Sequence, residues 1–213
     1  MLADRWLALC EKAGLDGRAG WTALASAYGD PARAYHNMNH IGDCLLRLDD
    51  HVHLAEDPVA VEFAIWFHDM VYDTRAADNE ERSAVKAAEF LSATPLGVVA
   101  ADLIRATKQD TPPLTRDAAL LCDIDVSILG RNPDEYDAYA RAIREEYAWV
   151  PLVEYAGART RVLEGFLARP SIFTLDELEE RFGEQARVNM GREIMNLAKP
   201  DPACPDQPHT ETR

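Results

Sequence analysis

The stretch at 57–73, DPVAVEFAIWFHDMVYD, carries the reading of this chain. Asp57 followed by Pro58 is a helix N-cap followed by proline at the first helical position, where the missing N–H has no partner to lose. The run VAVEFAIWFHDMVY behind it is apolar on nearly every side. A helix of that kind is central and buried. At its end stand His68 and Asp69. An ionised aspartate there is costly to bury unless a cation or good hydrogen bonds compensate it. Adjacent helical residues point about 100° apart, so near a helix end both can reach a metal lying between their directions. Imidazole plus carboxylate suits Mn, Fe, Co, Ni, Zn or Mg.

The flanking sequence reads as helix after helix. Leu2, Trp6, Leu9 and Ala13 share one face of a helix over 2–14. A short helix over 21–28 is stopped by Gly29-Asp30-Pro31. Met38, Ile41, Leu45, Leu48 and Val52 alternate three-and-four spacing over 38–52, the mark of an amphipathic helix. Further helices are predicted over 79–92, 95–107, 115–129, 133–148, 151–168 and 184–197. Asn132-Pro133 repeats the cap-then-proline signal, and Thr174 with Glu177 fits a capping box for a helix over 175–181. No segment alternates in the β-branched pattern of a strand. The fold class is therefore all-α: a single globular multi-helix bundle over 1–198. The remainder, 199–213, KPDPACPDQPHTETR, combines four prolines with polar residues and is expected to be a disordered tail.

Bulk properties narrow the function. The chain has 213 residues, 47% of them hydrophobic, a formal net charge of −15 and a pI near 4.7. Long nucleic acid is a poor partner for that surface, because binding it rests on many Lys and Arg contacts to phosphate. A small phosphorylated molecule needs only one or two cations inside a pocket. Cys10, Cys44, Cys122 and Cys204 lie far apart without a CxxC pair, so neither a disulfide framework nor a cysteine zinc site is expected, and a reduced, cytoplasmic setting fits. The start of the chain lacks the basic n-region of a signal peptide. No stretch approaches the ~18 apolar residues that span a membrane. A homodimer is the base-rate expectation for assembly.

Further ligands for a metal beside His68 and Asp69 must come from other helices, and two segments offer them. In YHNMNHI (35–41), His36 and His40 are four apart and share a face if the helix starts early enough. In CDIDV (122–126), Asp123 and Asp125 sit in an apolar run. On residue types alone, either histidine and either aspartate could complete the set.

A His, a later His-Asp pair and a lone Asp on a further helix resemble the signature of the HD superfamily of metal-dependent phosphohydrolases. YHNMNHI, WFHDMVYD, DNEERSA, CDIDVSILG, IREEY and GARTRVL resemble one bacterial branch of it, the predicted metal-dependent HD-domain phosphohydrolases, over about residues 30–195. The resemblance implies one divalent metal held by His40, His68, Asp69 and Asp125. Asp123 is the alternative last ligand, and His36 becomes a neighbouring or substrate-contacting group. It also implies hydrolysis of a nucleotide or phosphomonoester by a metal-activated water. Asp69, then Asp73, would handle the water proton. Lys108 is the first choice for the phosphate, followed by Arg144 and Arg159, with His36 and Asn37 nearby. Asp78, Asn79 and Glu80 line a loop after the His-Asp pair, where Asp78 is placed to cap the next helix. Glu62 is expected in an ion pair, and His51 and His53 at the surface. Two rival readings are a phosphate-binding module without turnover and a di-iron oxygenase. The oxygenase needs further histidines, and residues 70–122 contain none. In LIRATKQD, Gln109 and Asp110 stand where relatives often carry a histidine.

Overall fold

The computed structural model describes residues 2–108 and 111–199. The tail from 200 onward, and Gln109 with Asp110, lie outside the described residues. The elements are α1 (Leu2–Lys12), α2 (Arg18–Tyr28), α3 (Met38–His51), α4 (Pro58–Phe67), α5 (Asn79–Phe90) and α6 (Leu96–Ala106), followed by α7 (Arg116–Asp125), α8 (Pro133–Glu146), α9 (Leu152–Leu167), α10 (Asp176–Leu178) and α11 (Glu184–Leu197). Among the described residues there is no strand, so the all-α reading holds. None of these helices is long and apolar enough to cross a membrane.

As its composition demands, α4 is the central rod, packed against α3, α5, α6 and α7. Asp57 caps it by accepting from the N–H groups of Val59 (3.1 Å) and Ala60 (3.0 Å). Its residues 63–67 are all buried. Trp6 of α1 packs edge-on against Phe63, Trp66 and Phe67, with ring centroids 5.6–5.8 Å apart. Its indole N–H donates to Gly17 O at 2.7 Å, which makes burial of the ring's polar edge tolerable.

The helix ends at Phe67, short of the apolar run that continues to Tyr72. The carbonyls of a helix C-terminus need outside partners, and here tertiary groups supply them. Tyr28 Oη donates to Trp66 O (3.0 Å), and Arg33 donates through Nη1 to Asp69 O (2.7 Å) and through Nη2 to Met70 O (3.1 Å). Ser83 of α5 accepts from the Val71 N–H at 3.0 Å. The chain is thus drawn out of the helix at the His-Asp pair.

Two other boundaries move. The helix expected over 115–129 stops at Asp125 and continues as a 3₁₀ turn, Val126–Gly130. The capping box at Thr174 and Glu177 does not form. Asp123 takes the Thr174 and Leu175 N–H groups instead, at 2.7–2.9 Å, and Glu177 pairs with His53 at 3.0 Å. α10 then runs through a π-helical stretch, Glu179–Gly183, into α11. Trp6→Ala is expected to destabilise the fold by about 3–5 kcal/mol, the cost of emptying a large aromatic site. Equilibrium denaturation of the two proteins measures it.

Candidate metal centre

Three helix ends converge on one point. The first is the start of α3. Asn37 is its N-cap, accepting from the Asn39 N–H (2.9 Å) while its amide donates to Ala34 O (3.0 Å) and Arg33 O (3.2 Å). Asn37 is therefore committed to shaping the turn. Because the helix begins at Met38, His36 lies outside it and His40 sits in the first turn, pointing inward. The second end is that of α4, where His68 and Asp69 leave the helix. The third is that of α7, whose last residue is Asp125.

The atoms that meet are His40 Nε2, His68 Nε2, Asp69 Oδ2 and Asp125 Oδ1. The two nitrogens are 3.1 Å apart. Asp69 Oδ2 lies 3.1 Å from the His68 nitrogen and 3.5 Å from that of His40, and Asp125 Oδ1 lies 3.4 and 3.3 Å from them. Ligands bound at about 2.1 Å from one ion are about 3.0 Å apart at right angles and about 3.4 Å apart at tetrahedral angles. The observed separations span that range. His68 Nδ1 donates to Ile65 O at 2.9 Å, which leaves the Nε2 lone pair facing the cluster.

Cys44, one turn after His40, belongs to the same buried surroundings. His40, Cys44, His68 and Asp125 each offer a ligand atom within 4.8 Å of the others, and the group could hold a metal ion. The sulfur is 3.8 Å from both ring nitrogens of His40. That equidistance places it beside the ring rather than ahead of Nε2. Asp69, outside that group of four, brings Oδ2 closer to His40 Nε2 than the sulfur comes, at 3.5 Å against 3.8 Å.

Electrostatics favour a cation there. Burial pushes both histidines toward the neutral form, but the surrounding groups outweigh it. Cys44, Tyr35 and the two carboxylates raise His40 well above its ordinary value, and Asp69 and Asp125 do the same for His68. Against the opposing effect of burial, the imidazoles hold Asp69 and Asp125 well below the usual carboxylate range. Two Nε2 atoms 3.1 Å apart cannot both direct a proton along the line joining them without repulsion. One divalent ion would accept both lone pairs and offset the charge of both carboxylates.

Asp123 is buried but faces the 174–175 turn, where burial lifts its carboxyl to about 6 against the pull of the Thr174 and Leu175 N–H groups. Asp125 is therefore the aspartate at the cluster. Asp73 is exposed and braces its own loop, accepting from the Arg75 N–H and bonding Asn79 through its backbone. Lys108 is exposed just beyond α6. Neither lines the cavities beside the cluster. Arg144 donates to Tyr147 O (2.6 Å) and Val150 O (3.1 Å), building the α8–α9 loop. Arg159 pairs with Glu193 at 2.9 Å and lines a cavity of about 120 Å³ together with Asp125 and His36. Glu62 pairs with Arg5, as expected. Asp78 makes no side-chain cap. His51, expected at the surface, is fully buried and bonds Arg47 O at 2.8 Å, because the last turn of α3 packs inward.

Glu146, the last residue of α8, was not singled out in advance. Its carboxylate accepts from the Tyr35 and His36 N–H groups (2.8 and 2.9 Å), from His36 Nδ1 (2.7 Å) and from Tyr72 Oη (3.1 Å). It ties His36 beside the cluster, stacked on Tyr72 at 4.1 Å. Only the IREEY segment hinted at it, and nothing there separates Glu145 from Glu146. Arg33 carried no signal at all.

No family model, no curated protein and no solved structure matches the chain. The chain is a helical bundle in which buried His40, Cys44 and His68, with Asp125, could hold a metal ion.

His40→Ala, His68→Ala and Asp125→Ala are each expected to abolish stoichiometric metal retention, while Asp123→Ala keeps it and loses stability by about 1–3 kcal/mol. Elemental analysis and denaturation separate the two outcomes. The raised histidine values also predict pH dependence. Their contribution to the metal-free fold is complete below 6.5, the ordinary value, and is lost as pH rises through the folded values. The depressed carboxylates contribute above 3.8 and lose that contribution as pH falls through their folded values. Metal must displace the histidine protons, so binding near pH 7 releases at least one proton and tightens as pH rises. Calorimetry in buffers of different ionisation enthalpy detects the release. Cobalt-loaded protein is expected to show visible d–d absorption without an intense thiolate charge-transfer band, as Cys44 stands aside.

Proposed function

We propose that this chain is a metal-dependent phosphohydrolase of the HD superfamily, acting on a small phosphorylated substrate such as a nucleotide or phosphomonoester. The observation that carries the reading is the approach of His40 and His68 to each other and to Asp69 and Asp125, at 3.1–3.5 Å, through atoms from three helix ends. The order of those residues along the chain supports the family. The residues would hold one divalent ion, whose identity their nitrogen and oxygen donors leave open among several metals. Such an ion supplies Lewis acidity toward a phosphoryl oxygen and brings water toward ionisation at neutral pH.

The chain's own groups have definable parts. Asp69 offers a second carboxylate oxygen beside the cluster to orient the water proton. His36 lines the cavity that Asp125 also lines, and Glu146 holds its Nδ1. A carboxylate fixing one ring nitrogen leaves the other to take a proton from water or give one to the departing oxygen. Arg159 is the cation lining that cavity and takes the role first considered for Lys108, offsetting phosphate charge in a protein of net charge −15.

The test is turnover of a panel of nucleotides and aryl phosphates by protein loaded with Mn, Co, Ni or Mg. Hydrolysis is expected with at least one pairing, and His36→Ala should lower kcat by about 10²–10⁴ while metal stays bound. A folded, metal-loaded protein that turns over nothing overturns the hydrolase reading. A ligand bound tightly and recovered unchanged favours a binding module instead.

A further inference from the structure

A larger cavity, about 450 Å³, opens beside the one that reaches Asp125. His36, Tyr139 and Arg159 line both, so the two share a wall. Five rings line the larger one, Tyr72, Tyr139, Tyr147, Trp149 and Tyr155, with aliphatic side chains such as Ile143, Val150 and Val162 between them. The rings come from the loop after α4, from α8, from the α8–α9 loop and from α9.

The polar edges of three of these rings are held by the protein, and a fourth is enclosed. Tyr72 Oη donates to Glu146 at 3.1 Å, Tyr139 Oη accepts from Arg159 at 3.1 Å, and the Trp149 indole N–H donates to Thr74 Oγ1 at 2.8 Å. Tyr155 Oη is enclosed without a partner. Four of the rings have a guanidinium over one face: Tyr72 from Arg33 at 5.7 Å, Tyr139 from Arg159 at 5.3 Å, Trp149 from Arg75 at 4.6 Å and Tyr155 from Arg144 at 4.7 Å. The cavity is therefore lined by rings held in place and offers few free donors or acceptors. Flat faces stack on any planar ring, whereas telling one ring from another needs unpaired edge groups.

From this we infer that the cavity takes a planar aromatic part of the substrate and accepts it by its flatness, not by its hydrogen-bonding edge. The inference rests on the proposed hydrolase reading: the phosphate lies toward Asp125 and Arg159, and the ring of the alcohol that leaves lies among the tyrosines. Water's oxygen bonds to phosphorus, the bond from phosphorus to the ester oxygen breaks, and that oxygen takes up a proton. The products are an aromatic alcohol and inorganic phosphate. Prealigned rings lose little freedom on binding, which favours affinity.

Equilibrium binding to the metal-loaded full chain tests this without turnover, using naphthylmethylphosphonate, ethylphosphonate and inorganic phosphate as probes. The aryl probe is expected to bind at least tenfold more tightly than the alkyl one. Trp149→Ala should remove most of that advantage, and Trp149→Phe should restore it. Purine and pyrimidine nucleoside monophosphates should bind within about tenfold of each other, since no edge is read. Equal affinity for aryl and alkyl probes overturns the inference while leaving the phosphate site standing. A preference above a hundredfold for one base overturns the claim of flatness alone. If none of the three probes binds, the hydrolase reading and this inference fall together.

Discussion

Two imidazoles and two carboxylates meet inside an apolar bundle, and the rest of the architecture arranges itself around the cost of that meeting. Charges removed from water are tolerated only when they are paired and hydrogen-bonded. The cluster satisfies this internally, two potential cations against two anions, and a divalent ion would satisfy it more fully. His40 and His68 are almost entirely enclosed. The aspartates are more open at their outer edge, at 18% and 22% of side-chain surface. That asymmetry leaves enclosed donors behind and an open edge in front.

The cluster exists because helices end there. A helix interior places side chains on a rigid cylinder, but at its ends the backbone turns and adjacent residues can converge. α4 ends five residues before its apolar run does, and the exposed carbonyls of that early ending are bonded by Tyr28 and Arg33 from the α2–α3 region. Arg33 also lies 5.5 Å from the Tyr28 ring and 5.7 Å from that of Tyr72, so one guanidinium locks the turn from which Asp69 projects. Glu146 acts in the same way on the opposite side, where it bonds two backbone N–H groups and the ring of His36. Both are charged groups whose hydrogen bonds replace water, and both lie far along the chain from what they hold.

Composition and period were enough for the helices. The α4 run, the three-and-four spacing of α3 and the cap-then-proline signals at Asp57 and Asn132 are local, and local hydrogen bonding with one-sided burial realises them almost wherever the helices pack. They were enough too for His68 and Asp69, since an unpaired carboxylate beside an apolar rod implies a partner. Segment ends were less legible. The Thr174–Glu177 box obeys a local rule, yet it lost to a carboxylate fifty-one residues earlier.

By itself, then, the sequence determined an all-helical chain, its buried central helix and the His-Asp pair at that helix's end. Residue types left His36 and His40 open and the resemblance named His40; in the tertiary structure, helix capping by Asn37 puts only His40 inside the first turn. The resemblance also preferred Asp125 to Asp123, and the tertiary structure supplies the reason: one faces the histidines and the other a backbone turn that needs its oxygens. Tertiary structure alone decided that Arg159, rather than Lys108 or Arg144, lines the cavity at Asp125. The physical reason is common to all three. Residue type states what a side chain can bind, but which partner it reaches depends on the direction its helix end imposes, and that direction is set by packing between elements distant in the chain.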